Sequence, residues 1–381
     1  MARGGKQKLG SIDAGMVWAF SINASVFEDG SREGACHPAA GVIPAVIAFS
    51  RGKNWEVIDR AIIAGYEVMI RLARCGNPEL TLKGFHPTAI TAPFGAAVAT
   101  SMLLGHDVSK IGNAISLAAI GGSGLMSAFK SGATQPLQIA WSVRNGIVAA
   151  IMAGAGHAGY PHILENGFFP AYLGSPARLA IDSPLAYEYA ILGSYLKTYP
   201  GCRHLHPSID ALTSILEENK VDICHINKIR VRTYKVAVET EIHDLKERGD
   251  AYFNLSYALS AKLVLGKSDW DAFDEKYFND LRVVDLMKKI EVCIDPELEK
   301  DYPHQRPAIV EIHKVDGAII SAKINYALGE PENPMPKSAT REKFRALAGP
   351  FMDKNSLDRI EKLLDVLGSG QNLGEILTWE S

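Results

Sequence analysis

The residues best suited to chemistry fall in four polar segments, each set between apolar runs. The first is Glu28-Asp29-Gly30-Ser31-Arg32-Glu33-Gly34-Ala35-Cys36-His37-Pro38. Three carboxylates and a histidine share one glycine-containing loop, and a histidine titrates near neutral pH and so can pass protons. A solvated loop closed by a capping His-Pro turn would use the same residues. The second is Lys83-Gly84-Phe85-His86-Pro87-Thr88. Here His86 and Thr88 precede a run of small residues with helical spacing. A helix start favours an anion, and a threonine at that place also serves as a cap. The third is Lys197-Thr-Tyr-Pro-Gly-Cys-Arg203-His204-Leu-His206-Pro-Ser-Ile-Asp210. Arg203 can grip a carboxylate with two parallel hydrogen bonds, and Lys197 adds a point charge. The paired histidines also raise a metal, but Cys202 and Asp210 do not complete a ligand set. The fourth, Phe129-Lys130-Ser131-Gly132-Ala133-Thr134-Gln135-Pro136, interrupts two apolar runs and could be a binding loop or a plain connection.

The common chemistry of such groups is proton transfer beside a carboxylate. A carbon next to a carboxylate must take up negative charge and lose it again. Cations holding the carboxylates spread that charge, and a placed acid–base residue moves the proton. On this reading Lys197, Arg203 and His204 hold carboxylates, His37 and His86 shuttle protons, and Glu28 or Asp29 orients His37 or acts as the base. His206 could serve substrate or only structure.

Bulk properties narrow the partners. The chain has 381 residues, 40 basic and 43 acidic, for a net charge of −3. Nothing here marks a polyanion-binding surface, so nucleic acid is not expected. The five cysteines are widely spaced with no CxxC pair, which disfavours a disulfide framework or a metal knuckle and suits a reducing compartment, the cytoplasm. The basic N-terminus has no apolar signal core after it, and no apolar run reaches the roughly 20 residues of a membrane span. There is no dinucleotide fingerprint, P-loop or GxSxG elbow. A cofactor-independent, metal-free site for a small carboxylate is the expectation.

Two compositional regimes must position these residues. Residues 11–190 are rich in Ala, Gly, Ile, Leu and Met. Segments 55–74, 92–104, 109–120 and 137–153 carry apolar residues at helical spacing. Small residues in them let helix axes approach closely. From residue 194 the texture changes. Residues 228–238 alternate polar and apolar, as a half-buried strand does. Residues 308–315 and 318–326 repeat that pattern around Asp316-Gly317, a hairpin turn signal. Helical spacing returns at 251–265, 280–290, 340–347 and 356–367. The predicted fold class is mainly α: a large all-helical domain of residues 1–190 and 340–381, discontinuous in sequence, and a smaller α+β domain of residues 191–339.

Taken together these segments resemble the MmgE/PrpD family, which holds 2-methylcitrate dehydratase, cis-aconitate decarboxylase and iminodisuccinate epimerase. The matching residues are His37-Pro38, Val42-Ile43-Pro44-Ala45, Ala64-Gly65-Tyr66-Glu67-Val68, Gly84-Phe85-His86-Pro87-Thr88, Phe94-Gly95-Ala96-Ala97, Leu104-Gly105, Arg144-Asn145-Gly146, Lys197-Thr-Tyr-Pro200, His206-Pro-Ser-Ile-Asp210-Ala211 and Glu342-Lys343-Phe344. The resemblance implies a helical domain with an α+β lid, a homodimer, and a site that includes His37, His86, Lys197 and His206. It places Ser31 where the decarboxylase has a threonine, Gln135 and Gln138 where a lysine and a histidine are common, and Leu328, with Tyr326 nearby, where the decarboxylase has a lid tyrosine. Val26 falls where the decarboxylase has an acidic residue, which leaves that place to Glu28 or Asp29. The chain is also expected to begin inside the family's helical domain, so that a partner chain could supply further helices. The activity so implied is a lyase, a dehydratase or decarboxylase of a citrate-like acid. An epimerase of a dicarboxylate, or a carboxylate-binding subunit without turnover, would use the same segments. Ser31, Thr88, Lys130, Gln135, Arg203, His204, His206 and Tyr326 are the expected substrate contacts.

Overall fold

The computed structural model describes residues 9–130, 134–174 and 189–365. They fall into two compact units. The first is formed by the chain up to Ala24, by Glu28–Ser194 and by the chain from Ser338. The second is formed by Ser25–Phe27 and Tyr195–Lys337. The fold is mainly α, with a smaller α+β part, as the two regimes of the sequence predict.

Among the helices of the first unit are α1 (Ser11–Ala24), α2 (Pro38–Phe49), α3 (Trp55–Gly76), α4 (Pro87–Leu103), α5 (Val108–Ala118) and α6 (Thr134–Gly154). α4 is buried along nearly its whole length, which explains its Ala, Gly and Thr content: a helix with no solvent face has no need of a polar stripe. Small residues also set how closely α6 can approach. A Cβ at Gly146 would lie 2.2 Å from the Pro93 carbonyl oxygen, so only glycine fits where α6 crosses α4.

The start of α4 departs from the sequence expectation. The helix begins at Pro87, not at residue 92, because a proline at the first helical position gives up an amide that has no partner there anyway. Pro93 then lies inside the helix and leaves the Ala89 carbonyl without its usual donor. Ser142 Oγ on α6 donates to that carbonyl at 2.8 Å, so a tertiary hydrogen bond replaces the missing helical one. Ser142 belongs to a polar stripe along α6. Gln138 precedes it by four residues, and Asn145 three residues on donates to the Gly121 carbonyl at 3.1 Å.

In the second unit a four-stranded sheet carries β1 (Ile226–Thr233), β2 (Ile290–Ile294), β3 (Ala308–Lys314) and β4 (Ile319–Ile324) in the order β2-β1-β3-β4. β1 pairs parallel with β2 and antiparallel with β3, and Val231 lies opposite both Val292 and Val310. An irregularity between Ile226 and Lys228 shifts the alternation, so Ile226 and Ile229 are both buried. α7 (His206–Glu218) packs on β3 and β4. α8 (Leu255–Leu265) packs on α7 and on α9 (Leu281–Met287). Ile209, Leu212, Leu259, Val283 and Val310 meet in their core.

Two strand expectations are corrected here. β1 ends at Thr233 rather than at residue 238, and a short helix, Lys235–Glu239, follows. Both neighbouring strands give out at that level. Thr233 lies opposite Ile294, two residues before Pro296, and opposite Ala308, the residue after Pro307. Prolines cannot extend a ladder, so the alternating run beyond Thr233 has nothing to pair with. Residues 290–294 are strand β2, whereas helical spacing over 280–290 pointed only to a helix, which stops at Met287. At the C-terminal end, α10 (Lys337–Ala348) and α11 (Lys354–Asp365) are joined by Arg345, which bonds Glu361 and Asp358. The segment predicted to run to residue 367 extends past the described residues.

Candidate active site

In the first unit the structure gathers Glu28, Asp29, Ser31, His37, His86 and Thr88 at two neighbouring helix starts. His37 directly precedes α2 and His86 directly precedes α4, each followed by a proline. The His37 amide donates to Thr88 Oγ1 at 3.1 Å, which ties the two starts together. Both face the positive end of a helix dipole, where carboxylates are favoured and an imidazolium is not.

His37 is held from its own loop. Its Nδ1 lies 2.6 Å from the Asp29 carbonyl oxygen and 3.7 Å from Glu28 Oε1. A carbonyl can only accept, so Nδ1 carries a proton, and in the neutral ring Nε2 carries the lone pair. Asp29 Oδ1 accepts from the Ala39 amide at 2.9 Å and so caps the first turn of α2. Asp29 also hydrogen-bonds the buried Tyr66, whose hydroxyl is pushed well above the usual tyrosine range by burial and then by the Asp29 charge. Glu28 Oε1 accepts from Asn23 Nδ2 at 3.1 Å. Ser31 is buried, and its hydroxyl accepts from the Gly34 amide at 3.3 Å. The turn between Ser31 and Cys36 is strained: Ala35 has φ +47°, a left-handed value that costs an L-residue roughly 1–2 kcal/mol.

His86 is only 3% exposed. Its ring meets Phe129 edge-on with centroids 4.9 Å apart, and Nδ1 lies 2.9 Å from Gln138 Nε2. Burial, and then the nearby His37, lower its pKa from 6.5 to about 3, so the ring stays neutral around pH 7. A short pairing of two loops sets its place: the His86 amide donates to the Gly124 carbonyl, and Met126 to that of Gly84. Gln138, Ser142, Asn145, Ser123, Ser127 and Thr134 are among the residues that line an open hollow of about 410 Å³. Gln135 is buried in the first turn of α6. The side chain of Lys130 and residues 131–133 lie outside the described residues.

The remaining predicted residues belong to the second unit. Lys197 is 1% exposed, and its Nζ donates to the Val26 carbonyl at 3.1 Å. The Gly201 amide donates to the same oxygen. Together these bonds hold Val26 at φ +47°. Arg203 does not stand ready to grip a carboxylate as expected. Its Nε donates to Glu330 Oε1 at 3.0 Å, and its terminal nitrogens donate to the carbonyls of Leu328 at 3.1 Å and Ala327 at 3.2 Å. It is a buried clamp on the 327–330 turn. That turn also touches the Lys197 segment directly: Gly329 accepts from the Leu196 amide, and a Cβ at Gly329 would lie 2.0 Å from the Leu196 oxygen. His204 hydrogen-bonds Tyr234. Burial, then Arg306 and Arg203, lower its pKa to about 3, so it does not supply the positive charge expected of it. His206 Nδ1 lies 3.0 Å from Arg203 Nη1, and its ring packs on Tyr199. Tyr326 is half-buried, and its carbonyl accepts from Asn333.

Several participants escaped the sequence reading. Gln138, which the resemblance places where the family commonly has a histidine but to which it gives no role, is the direct partner of His86. Tyr66 lies in a segment that carries the resemblance yet looks like any core aromatic. Glu330 and the buried Arg306, whose guanidinium lies 5.7 Å from the Tyr195 ring centre, have no local signal. Among the described residues no group of three His, Cys, Asp or Glu side chains is placed to hold a metal ion, and no helix is long and apolar enough to cross a membrane.

Comparison with known proteins identifies the family. Residues 2–179 match the MmgE/PrpD N-terminal domain, and residues 199–368 match the MmgE/PrpD C-terminal domain. The chain is 27% identical to a cis-aconitate decarboxylase of Aspergillus terreus, over 94% of this chain and 79% of that protein. It is 25% identical to the cis-aconitate decarboxylase of Homo sapiens, over 94% of this chain and 76% of that one. Both relatives are lyases by name. The two family matches together span most of the sequence, and the chain belongs to the MmgE/PrpD family.

Proposed function

We propose that the protein is a lyase acting on a small di- or tricarboxylate of the citrate class, a dehydratase or decarboxylase that uses its own side chains for the chemistry. The observation that carries this is the pair of His-Pro helix starts at His37 and His86, tied through Thr88, in a chain whose relatives include enzymes named for cis-aconitate. Two helix N-termini attract carboxylates, and a histidine stands at each.

The roles follow from the ring chemistry. His37, with Nδ1 committed to the Asp29 carbonyl, presents Nε2 as the base that takes or returns a proton at the carbon beside a carboxylate. In dehydration the C–H electrons form the new double bond as hydroxide leaves. In decarboxylation the C–C electrons stay on the carbon as CO2 departs, and protonated His37 delivers the proton. His86 stays neutral, so it contributes hydrogen bonding to the charge that develops on the substrate, not proton shuttling as expected. The family resemblance adds Lys197 as a group for a substrate carboxylate, and Ser31 and Thr88 supply hydroxyls. The family resemblance favours a homodimer.

An epimerase of a dicarboxylate shares the first step, proton removal by His37, and differs in returning the proton to the opposite face. The product distinguishes the two. A thermal-shift panel of di- and tricarboxylates identifies ligands, since a ligand that binds only the folded protein raises Tm. His37→Ala should collapse turnover of the acid so found while Tm without ligand holds, and Lys197→Ala should collapse turnover with a lower Tm, because it also removes a buried bond to the Val26 carbonyl. Near-normal rates in both variants would defeat the assignment.

A further inference from the structure

We propose that Gln138 is a positioning residue that fixes the tautomer of His86, so that the ring presents Nε2–H as a hydrogen-bond donor. The argument starts from the backbone. The Leu125 amide can only donate, and it points at the Gln138 side chain with 2.8 Å to Oε1. That contact assigns the amide ends: the atom facing Leu125 is the oxygen, and the other end is the NH2 group. This NH2 lies 2.9 Å from His86 Nδ1 and can only donate, so Nδ1 accepts and carries no proton. In the neutral ring the proton is then on Nε2.

The surroundings keep this chain of bonds in one direction. Leu125 cannot turn away, because Phe85 and Leu125 bridge between the two paired loops. The other side chains lining the hollow beside Gln138 are Ser, Thr, Asn, Trp, Leu and Ala, none of which carries a charge that would reorient the amide. Phe129 covers the His86 ring, and His37 is the titratable group whose charge bears on it. The two histidines therefore hold opposite tautomers. His37 keeps its proton on Nδ1, which donates to the Asp29 carbonyl, and His86 keeps its proton on Nε2, because its Nδ1 accepts from the Gln138 amide. One ring offers an acceptor to the substrate and the other a donor. The catalytic meaning of this pairing rests on the function proposed above, whereas the tautomer itself does not.

Nitrogen-15 NMR of histidine-labelled full-length protein tests it, with the His86 signals assigned by comparison with His86→Gln. At pH 7 the wild type should show His86 protonated on Nε2 and bare on Nδ1. Gln138→Glu keeps the shape but offers only acceptors, so Nδ1 should gain the proton and the pH at which His86 titrates should rise. Gln138→Met, which removes the donor at similar volume, should lose the single pattern, and it covers the case in which the glutamate variant does not fold. A wild-type ring protonated on Nδ1, or variants that keep the wild-type pattern, would overturn the proposal. For turnover, Gln138→Glu should lower kcat about 100-fold with KM within a few-fold, the scale of losing one transition-state donor. If the nitrogens switch and kcat does not change, the tautomer assignment stands and the role given to His86 in the reaction falls.

Discussion

The buried neutral histidine makes acid sensitivity calculable. An unfolded histidine titrates at its ordinary 6.5, whereas His86 in the folded protein titrates at about 3. Above pH 6.5 neither state binds the proton, and the residue contributes nothing to the pH dependence. Below it the unfolded chain takes up the proton first, so stability falls as pH falls, and the loss ends only when the native ring also titrates. Each pH unit inside that window is worth about 1.4 kcal/mol, so from pH 7 to pH 5 His86 alone should remove about 2 kcal/mol of stability. His86→Gln keeps a polar side chain of comparable reach and deletes the titration. Urea unfolding of both proteins at pH 7, 6 and 5, followed by tryptophan fluorescence, reads the difference. Trp18, Trp55 and Trp141 all lie in the first unit. The wild type should lose about 2 kcal/mol more than the variant over that range. Parallel pH dependences would refute the reasoning, because they would mean that His86 is solvated or charged in the native state.

Two further outcomes follow from the packing. Ser142→Ala leaves the buried Ala89 carbonyl beside Pro93 without a donor and should cost about 1–3 kcal/mol in chemical unfolding, whereas a surface Ser→Ala should cost almost nothing. Glu330→Gln breaks a buried ion pair with Arg203, both partners 3% exposed, and should destabilise the protein by about 3–5 kcal/mol, read by the same unfolding experiment.

The legible parts of this protein were those written in local pattern. Long helices such as α3 and α6 announced themselves through apolar spacing, and Asp316-Gly317 marked the hairpin between β3 and β4. What stayed hidden was set by distant partners. β1 stops at Thr233 because Pro296 and Pro307 end the ladders on both sides, and nothing within 228–238 says so. α4 tolerates Pro93 because Ser142, far along the chain, supplies the missing donor. The site divides in the same way. His37, Asp29 and Glu28 lie within one loop, and their grouping could be read directly. Arg203 looked like a carboxylate grip because its clamp, Glu330 and the carbonyls of 327–328, lies over a hundred residues away. Residue type gave histidines at 86 and 204 as cations or shuttles, and burial makes them neutral instead.

The central claim is that His37 Nε2 moves a proton at a carbon beside a carboxylate. It is tested most directly by proton NMR of the purified protein with cis-aconitate, citrate and methylcitrate in deuterated water. At least one of these acids should be converted; loss of CO2 or addition of water places deuterium at the carbon next to a carboxylate, and His37→Ala should abolish that incorporation while the folded protein still binds the acid. Loss of CO2 or addition of water without deuterium at that carbon, or incorporation at the wild-type rate in His37→Ala, would contradict the account.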